Sequence, residues 1–173
     1  MSKWAERFVK MADLVAQWSK DPSTKCGAVI VGEDNEVLAT GFNGFPRGVA
    51  ETERLMVGLD DHDDHEGDGY VTTLNDRWER PGKYEWVEHA ERNAIYNAAG
   101  AGVRLKGATM YFNYSVDKIC NDCAKAIIQS RIARVVGVNR AWPGKGKYAE
   151  GQDEGRHMLK EAGVVMENVD ADV

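Results

Sequence analysis

His89-Ala90-Glu91-Arg92-Asn93-Ala94-Ile95, then Ala108-Thr109-Met110-Tyr111-Phe112, then Cys120-Asn121-Asp122-Cys123-Ala124-Lys125-Ala126-Ile127-Ile128 read in order as helix, strand and helix. The first segment carries Ala and Ile on an inner face and ends at Gly100, a residue suited to closing a helix. The second is short and rich in β-formers. The third resumes helical spacing from Asn121 or Asp122. Each helix opens on side chains that carry chemistry: His89 and Glu91 on one, Cys120 and Cys123 on the other. A strand between them makes a crossover that brings both helix starts to one edge of a sheet. Open α/β sheets build their sites at such an edge.

Working outward, Trp4, Phe8, Met11, Leu14, Val15 and Trp18 recur at helical spacing and predict a first helix with one apolar stripe. Asp21-Pro22 stops it, because the residue before proline is pushed out of the helical region. Gly27–Val31 and Val37–Thr40, separated by the polar Glu33-Asp34-Asn35-Glu36, read as a hairpin. After the second inner helix come a strand at Arg134–Val138, an amphipathic helix from Gly151 to Ala162 and a last strand at Val164–Met166. The expected fold class is α/β: a central mixed sheet of about five strands with helices on both faces. No internal repeat is visible.

The chain has 173 residues, 43% hydrophobic and 29% charged, which suits one soluble domain spanning 1–173. Residues 51–88 are expected to form a long acidic insertion or loop region, densest at Asp60–Gly69. No apolar run approaches the ~20 residues that span a bilayer, and the charged, amphipathic start is not a secretory signal. The net charge of −6 argues against a nucleic-acid polymer as partner, since such proteins carry a basic face. A small molecule is the expected ligand. Three cysteines, two of them in one C-x-x-C, favour a reducing, cytoplasmic setting and metal or redox chemistry over a disulfide framework.

One imidazole and two thiolates, His89, Cys120 and Cys123, make three zinc ligands and leave a fourth position for water, as catalytic zinc sites do. Glu91 is placed to move a proton on and off that water. H-x-E…C-x-x-C is the mark of zinc-dependent nucleobase deaminases. Cysteines at i and i+3 of a helix start can converge, and the free N–H groups there favour thiolate. Taken singly, each half has a plainer reading. A C-x-x-C also serves thiol redox chemistry, though without a thioredoxin-like context here, and a lone helical His is usually structural. A second C-x-x-C is missing, so a Cys₄ zinc ribbon is excluded.

Four segments carry a resemblance to the deoxycytidylate (dCMP) deaminases of the cytidine/deoxycytidylate deaminase superfamily. They are Ser19-Lys20-Asp21-Pro22-Ser23-Thr24-Lys25 leading into Gly27–Val31, Thr40-Gly41-Phe42-Asn43-Gly44-Phe45-Pro46-Arg47-Gly48, the segment from His89 and the segment from Cys120. The resemblance implies a three-layer α/β/α fold and conversion of dCMP to dUMP with release of ammonia, which supplies thymidylate synthesis. His89, Cys120 and Cys123 would hold Zn²⁺, with Glu91 as proton shuttle. Ser23, Thr24 and Lys25 resemble the stretch that receives the 5′-phosphate, Asn43 the residue that holds the deoxyribose hydroxyl, and Ala90 a further substrate contact. Relatives are often homo-hexamers activated by dCTP with Mg²⁺ and inhibited by dTTP, and Gly41, Phe42, Asn43 and Gly44 match the loop associated with that control.

Three departures from the family pattern stand out. Ala98-Ala99-Gly100-Ala101 occupies a stretch where many relatives have an arginine that couples the effector. Ile119 stands where a proline usually precedes the first cysteine, and Tyr114-Ser115-Val116-Asp117-Lys118 makes a longer approach to it. A reshaped rim is expected, with every ligand retained. His62 and His65, with Cys26, offer a second metal site; the competing reading is a solvated acidic loop. Trp78, Tyr84, Trp86, Trp142 and Tyr148 read as core or subunit-interface residues rather than base-stacking platforms. A deaminase acting on dCTP, or on both nucleotides, is the enzymatic alternative. A nucleotide-sensing protein of deaminase fold is the non-enzymatic one.

Overall fold

The computed structural model describes residues 3–49, 77–140 and 153–170. A five-stranded mixed sheet runs through it. Strands β1 (Gly27–Val31), β2 (Val37–Phe42), β3 (Thr109–Phe112), β4 (Arg134–Val138) and β5 (Val165–Val169) lie in the order β2-β1-β3-β4-β5. β1 pairs antiparallel with β2 and β3, and β3, β4 and β5 run parallel. The expected hairpin is present; its second strand runs on to Phe42 and the last strand to Val169. Helices α1 (Lys3–Ala16), α2 (Lys83–Trp86), α3 (Ala90–Gly100), α4 (Asn121–Gln129) and α5 (Asp153–Glu161) complete the order. The C-alpha packing divides the chain into two units, residues 1–44 with 89–173, and residues 45–88.

In the larger unit the sheet separates two apolar layers. On one face Val29, Val31, Tyr111, Val136 and Val138 pack with Phe8, Val9, Ala12 and Val15 of α1. On the other, Ala28, Ile30, Met110, Phe112 and Val135 pack with Ala94, Ala98, Ala124, Ile127 and Leu159 of α3, α4 and α5. All five positions of β1 are buried, as expected for a strand covered on both faces. This is the three-layer arrangement.

The apolar stripe expected on α1 is corrected. Its buried face is Ala5, Phe8, Val9, Ala12, Val15 and Ala16, while Trp4, Leu14 and Trp18 are 45%, 62% and 57% exposed. Close approach is the reason. A Cβ built on Gly27 of β1 would stand 2.0 Å from the carbonyl oxygen of Ala12, so the helix meets the sheet through its smallest residues. The indoles lie along the flanks: Trp4 stacks on Phe8 at 5.7 Å, and Trp18 meets Phe42 edge-on at 6.1 Å.

In the smaller unit, Phe45 stacks on Trp78 with ring centroids 4.4 Å apart, and the Arg77 guanidinium lies 4.0 Å over the Trp86 ring. Trp78 therefore packs locally, whereas Trp86 is 40% exposed. Trp142, Tyr148, His62 and His65 lie outside the described residues.

Candidate active site at the openings of two helices

His89 is the N-cap of α3 and Cys120 the N-cap of α4, both in extended backbone. Neither helix opens on a Ser, Thr or Asp cap; the side chains at these positions turn toward one another instead. His89 Nδ1 lies 3.4 Å from Cys120 Sγ and 3.5 Å from Cys123 Sγ. The three ligand atoms all fall within 4.8 Å of one another. A tetrahedral zinc with ordinary Zn–N and Zn–S bonds would separate nitrogen from sulfur by ~3.6 Å. The observed spacings match that value, so the trio fits zinc in distance as well as in donor type.

The electrostatics agree. Hydrogen bonding from Cys123, then from His89, holds the Cys120 thiol down at about 4 despite burial. Cys123 is pushed the other way, by its hydrogen bond to Cys120 and by burial. Burial alone would lower His89, but Cys120 and Glu91 outweigh it and raise the imidazole. The metal-free trio is therefore a thiolate held by its neighbours' protons, which a divalent cation would displace. The Cys123 N–H also points at Cys120 Sγ, at 3.5 Å, adding a helix-start donor to that thiolate.

Glu91, in the first turn of α3, is 3% exposed, and Ala90 beside it is fully buried. Two asparagines tie α3 to β2: Asn93 Nδ2 donates to the Phe42 carbonyl at 2.8 Å, and Asn97 Nδ2 to that of Thr40 at 2.7 Å. Gly41 is required between them. Its Cβ would lie 2.3 Å from Ala94 N and 2.4 Å from Ala90 O.

The structure brings Ser23, Thr24 and Asn43 together around Asp21, a residue whose role went unread in the sequence beyond ending a helix. Asp21 is 1% exposed. Its Oδ1 accepts from Ser23 N, Ser23 Oγ and Thr24 N, and its Oδ2 from Asn43 Nδ2 at 3.0 Å. Asn43 Nδ2 also donates to the Thr24 carbonyl, and Asn43 Oδ1 accepts the Cys26 N–H at 2.8 Å. Asn43 is thus a clamp on the 21–26 loop. Both of its N–H donors are used, and one lone pair on Oδ1 is left to accept from a hydroxyl. The Ser23 and Thr24 N–H groups point at Asp21. Thr24 Oγ1 is buried without a hydrogen-bond partner among the described residues, and Lys25 is exposed.

The approach to Cys120 is built rather than slack. Ser115 caps a 3₁₀ turn at Val116–Lys118. Asn168 of β5 accepts the Val116 N–H and donates to Ser115 Oγ, both at 3.0 Å. Arg156 of α5 pairs with Asp117 at 3.2 Å. Ile119 has φ −66°, the angle a proline ring imposes, and its N–H closes the turn onto Val116 O at 3.3 Å. A proline would lack that donor. The Ile119 side chain is fully buried, so the departure is a local exchange of one rigid approach for another. At the start of this stretch Tyr114 is buried, and burial, then the nearby Glu91 charge, pushes its phenol up. Asn168 was missed in the sequence because its partners Val116 and Ser115 lie 52 and 53 positions away.

Residues 2–139 match the family described as "Cytidine and deoxycytidylate deaminase zinc-binding region". A deaminase encoded beside luxG in Aliivibrio fischeri is 34% identical over 164 residues, 95% of this chain and 92% of that protein. Mouse deoxycytidylate deaminase is 35% identical over 164 residues, 94% of this chain and 77% of its own. The structure superposes on the dCMP deaminase of cyanophage S-TIM5, solved with dCMP and dUMP. The TM-score is 0.64 at 26% identity, covering 98% of this chain and 99% of the other.

Proposed function

The chain belongs to the cytidine and deoxycytidylate deaminase family, and from that premise we propose that it hydrolyses dCMP to dUMP and ammonia. The observation that carries the reading is the convergence of His89 Nδ1 on two cysteine sulfurs at zinc spacing, with a buried glutamate two residues along. His89, Cys120 and Cys123 would hold the metal. Zinc there would lower the pKa of water at its open position toward ~7. Glu91 accepts the proton of the attacking water and delivers protons to the ring nitrogen and then to the leaving amino group. One carboxylate serves as base and acid within a turnover.

Substrate contacts follow the loop geometry. Lys25 and the Thr24 hydroxyl meet the 5′-phosphate, with Ser23 beside them, because the Ser23 and Thr24 N–H groups already serve Asp21. Asn43 Oδ1 accepts from the deoxyribose hydroxyl, and Ala90 borders the base. The family match runs through residues 45–88, which supports one catalytic domain over 1–173 with 51–88 as an insertion. Resemblance alone supports a cytoplasmic homo-hexamer and control by dTTP and by dCTP with Mg²⁺ at Gly41–Gly44. In that loop Gly41 and Asn43 have packing roles of their own. Cys26, His62 and His65 are kept as a second metal site to be tested by zinc content.

The test is ammonia release from dCMP, with dCTP, CMP and deoxycytidine compared, and with dTTP or dCTP–Mg²⁺ added. Glu91→Gln is expected to keep its zinc and lose turnover by about 10²-fold or more. Normal turnover in that variant would end the proton-shuttle reading.

A further inference from the structure

We propose that Asn113 is a positioning residue for phosphate recognition: its buried amide pins the backbone on both sides of Cys26 and so sets where Lys25 stands when the loop meets a 5′-phosphate. The proposal rests on the reading of Lys25 and Thr24 as the phosphate groups. Asn113 directly follows β3 and is 7% exposed. Its Oδ1 accepts the Gly27 N–H at 2.9 Å, and its Nδ2 donates to the Lys25 carbonyl at 3.2 Å. The two groups it holds are two residues apart and turn to the same edge of the chain. That is the spacing at which a strand offers a donor and an acceptor to its neighbour. The main-chain bond from Asn113 N–H to Gly27 O is long, at 3.4 Å, so the side chain carries the ladder on where β3 ends.

The opposite edge of the same segment belongs to Asn43, whose Oδ1 accepts the Cys26 N–H at 2.8 Å and whose Nδ2 donates to the Thr24 carbonyl at 2.9 Å. Residues 24–27 therefore run between two asparagines that make the same pair of bonds one residue out of step. A backbone held on both edges leaves the Lys25 Cα little freedom, so its exposed side chain starts from a fixed place. Ordering the loop in advance removes that cost from the binding of phosphate. Asn113 is anchored in turn. Arg140, after β4, donates to Asp13 of α1 at 2.9 Å and lies 3.5 Å from the Asn113 carbonyl oxygen. Asp13 Oδ1 also lies 3.5 Å from Asn113 Nδ2. With acceptors at Asp13 and Lys25 O and a donor at Gly27 N, the amide has one orientation that satisfies them all.

Asn113→Ala removes both contacts without adding a charge. The readout is kcat/KM for ammonia release from dCMP and from deoxycytidine, which lacks the phosphate. With dCMP, kcat/KM is expected to fall by about 10- to 100-fold, carried by KM, the range for losing a hydrogen bond to a charged group. With deoxycytidine it is expected to change by less than about threefold, and zinc per chain stays at the wild-type value. Equal losses on the two substrates would overturn the proposal, because a loosened fold produces them, and so would an unchanged preference for dCMP. Asn113→Ser keeps one hydroxyl for one of the two contacts; it is measured alongside and decides in the same way if the alanine variant does not fold. Lys25→Ala separates the two readings. If it keeps the preference for dCMP, Lys25 does not meet the phosphate and the proposal falls with that reading. If it loses the preference while both Asn113 variants keep it, the phosphate reading stands and the positioning role fails.

Discussion

Gly41→Ala is the substitution for which the structure gives the sharpest magnitude. The added Cβ would lie 2.3 Å from Ala94 N, 2.4 Å from Ala90 O and 2.8 Å from Ala94 Cα. All three are backbone atoms of α3, so no side chain can swing aside. Ordinary contact requires about 1 Å more, and either β2 or the start of α3 must move by about that much. Overpacking of this kind costs about 1–3 kcal/mol, which in a chain of this size lowers Tm by about 3–10 °C. The same shift displaces Ala90 and its neighbours His89 and Glu91. A misplacement of about 1 Å at a reacting group loses about 10²-fold in turnover. Gly100→Ala is the matched control: it closes α3, and nothing lies within 4 Å of its Cβ. Removing that glycine is expected to raise stability by about 0.5–1 kcal/mol with turnover unchanged. Thermal unfolding and ammonia release from dCMP, run on both variants, check the pair. A Gly41→Ala protein with wild-type Tm and turnover would refute the claim that this glycine sets the distance between β2 and α3.

Asn43→Asp is nearly isosteric but sets a second carboxylate 3.0 Å from Asp21 Oδ2 and removes both donors. It is expected to lose about 2 kcal/mol near pH 7. Two carboxylates sharing a buried site raise one folded-state pKa, so the loss is full above that raised value and shrinks as pH falls from it toward the unfolded carboxylate value; urea midpoints at pH 7 and pH 4.5 measure it. Zinc titration of the metal-free protein at neutral pH is expected to release the Cys123 proton and the proton of the raised His89 imidazole, with none from Cys120, whose thiol is already held down at about 4. Apparent zinc affinity then falls about tenfold per unit decrease in pH for each proton released, and calorimetry in two buffers of different ionisation enthalpy counts those protons. Chelation is expected to abolish ammonia release and added zinc to restore it.

Much of the fold was legible because its signals are local. Apolar periodicity, Pro22, the polar turn after β1 and the glycine closing α3 each act within a few residues, and the strands and helices followed from them. Helix α1 shows where local reading fails. Trp4, Leu14 and Trp18 have the right spacing and hydrophobicity for a core stripe, yet the sheet sits too close to admit them. Helical spacing reports which residues share a face; the distance to the partner element decides which face is buried.

The site divides along the same line. The sequence by itself singled out His89, Glu91, Cys120 and Cys123, whose types and spacings one short motif carries, and the structure gathers His89, Cys120 and Cys123. Tertiary structure decided how those groups are held. Asp21 gathers the loop that Asn43 clamps, Gly41 sets α3 against β2, and Asn168 braces the approach to Cys120. Each of these is a buried polar or close-packed contact between residues distant along the chain. Such contacts leave no periodic trace, because the need they meet, a partner for every buried donor and acceptor, arises only once the elements have packed.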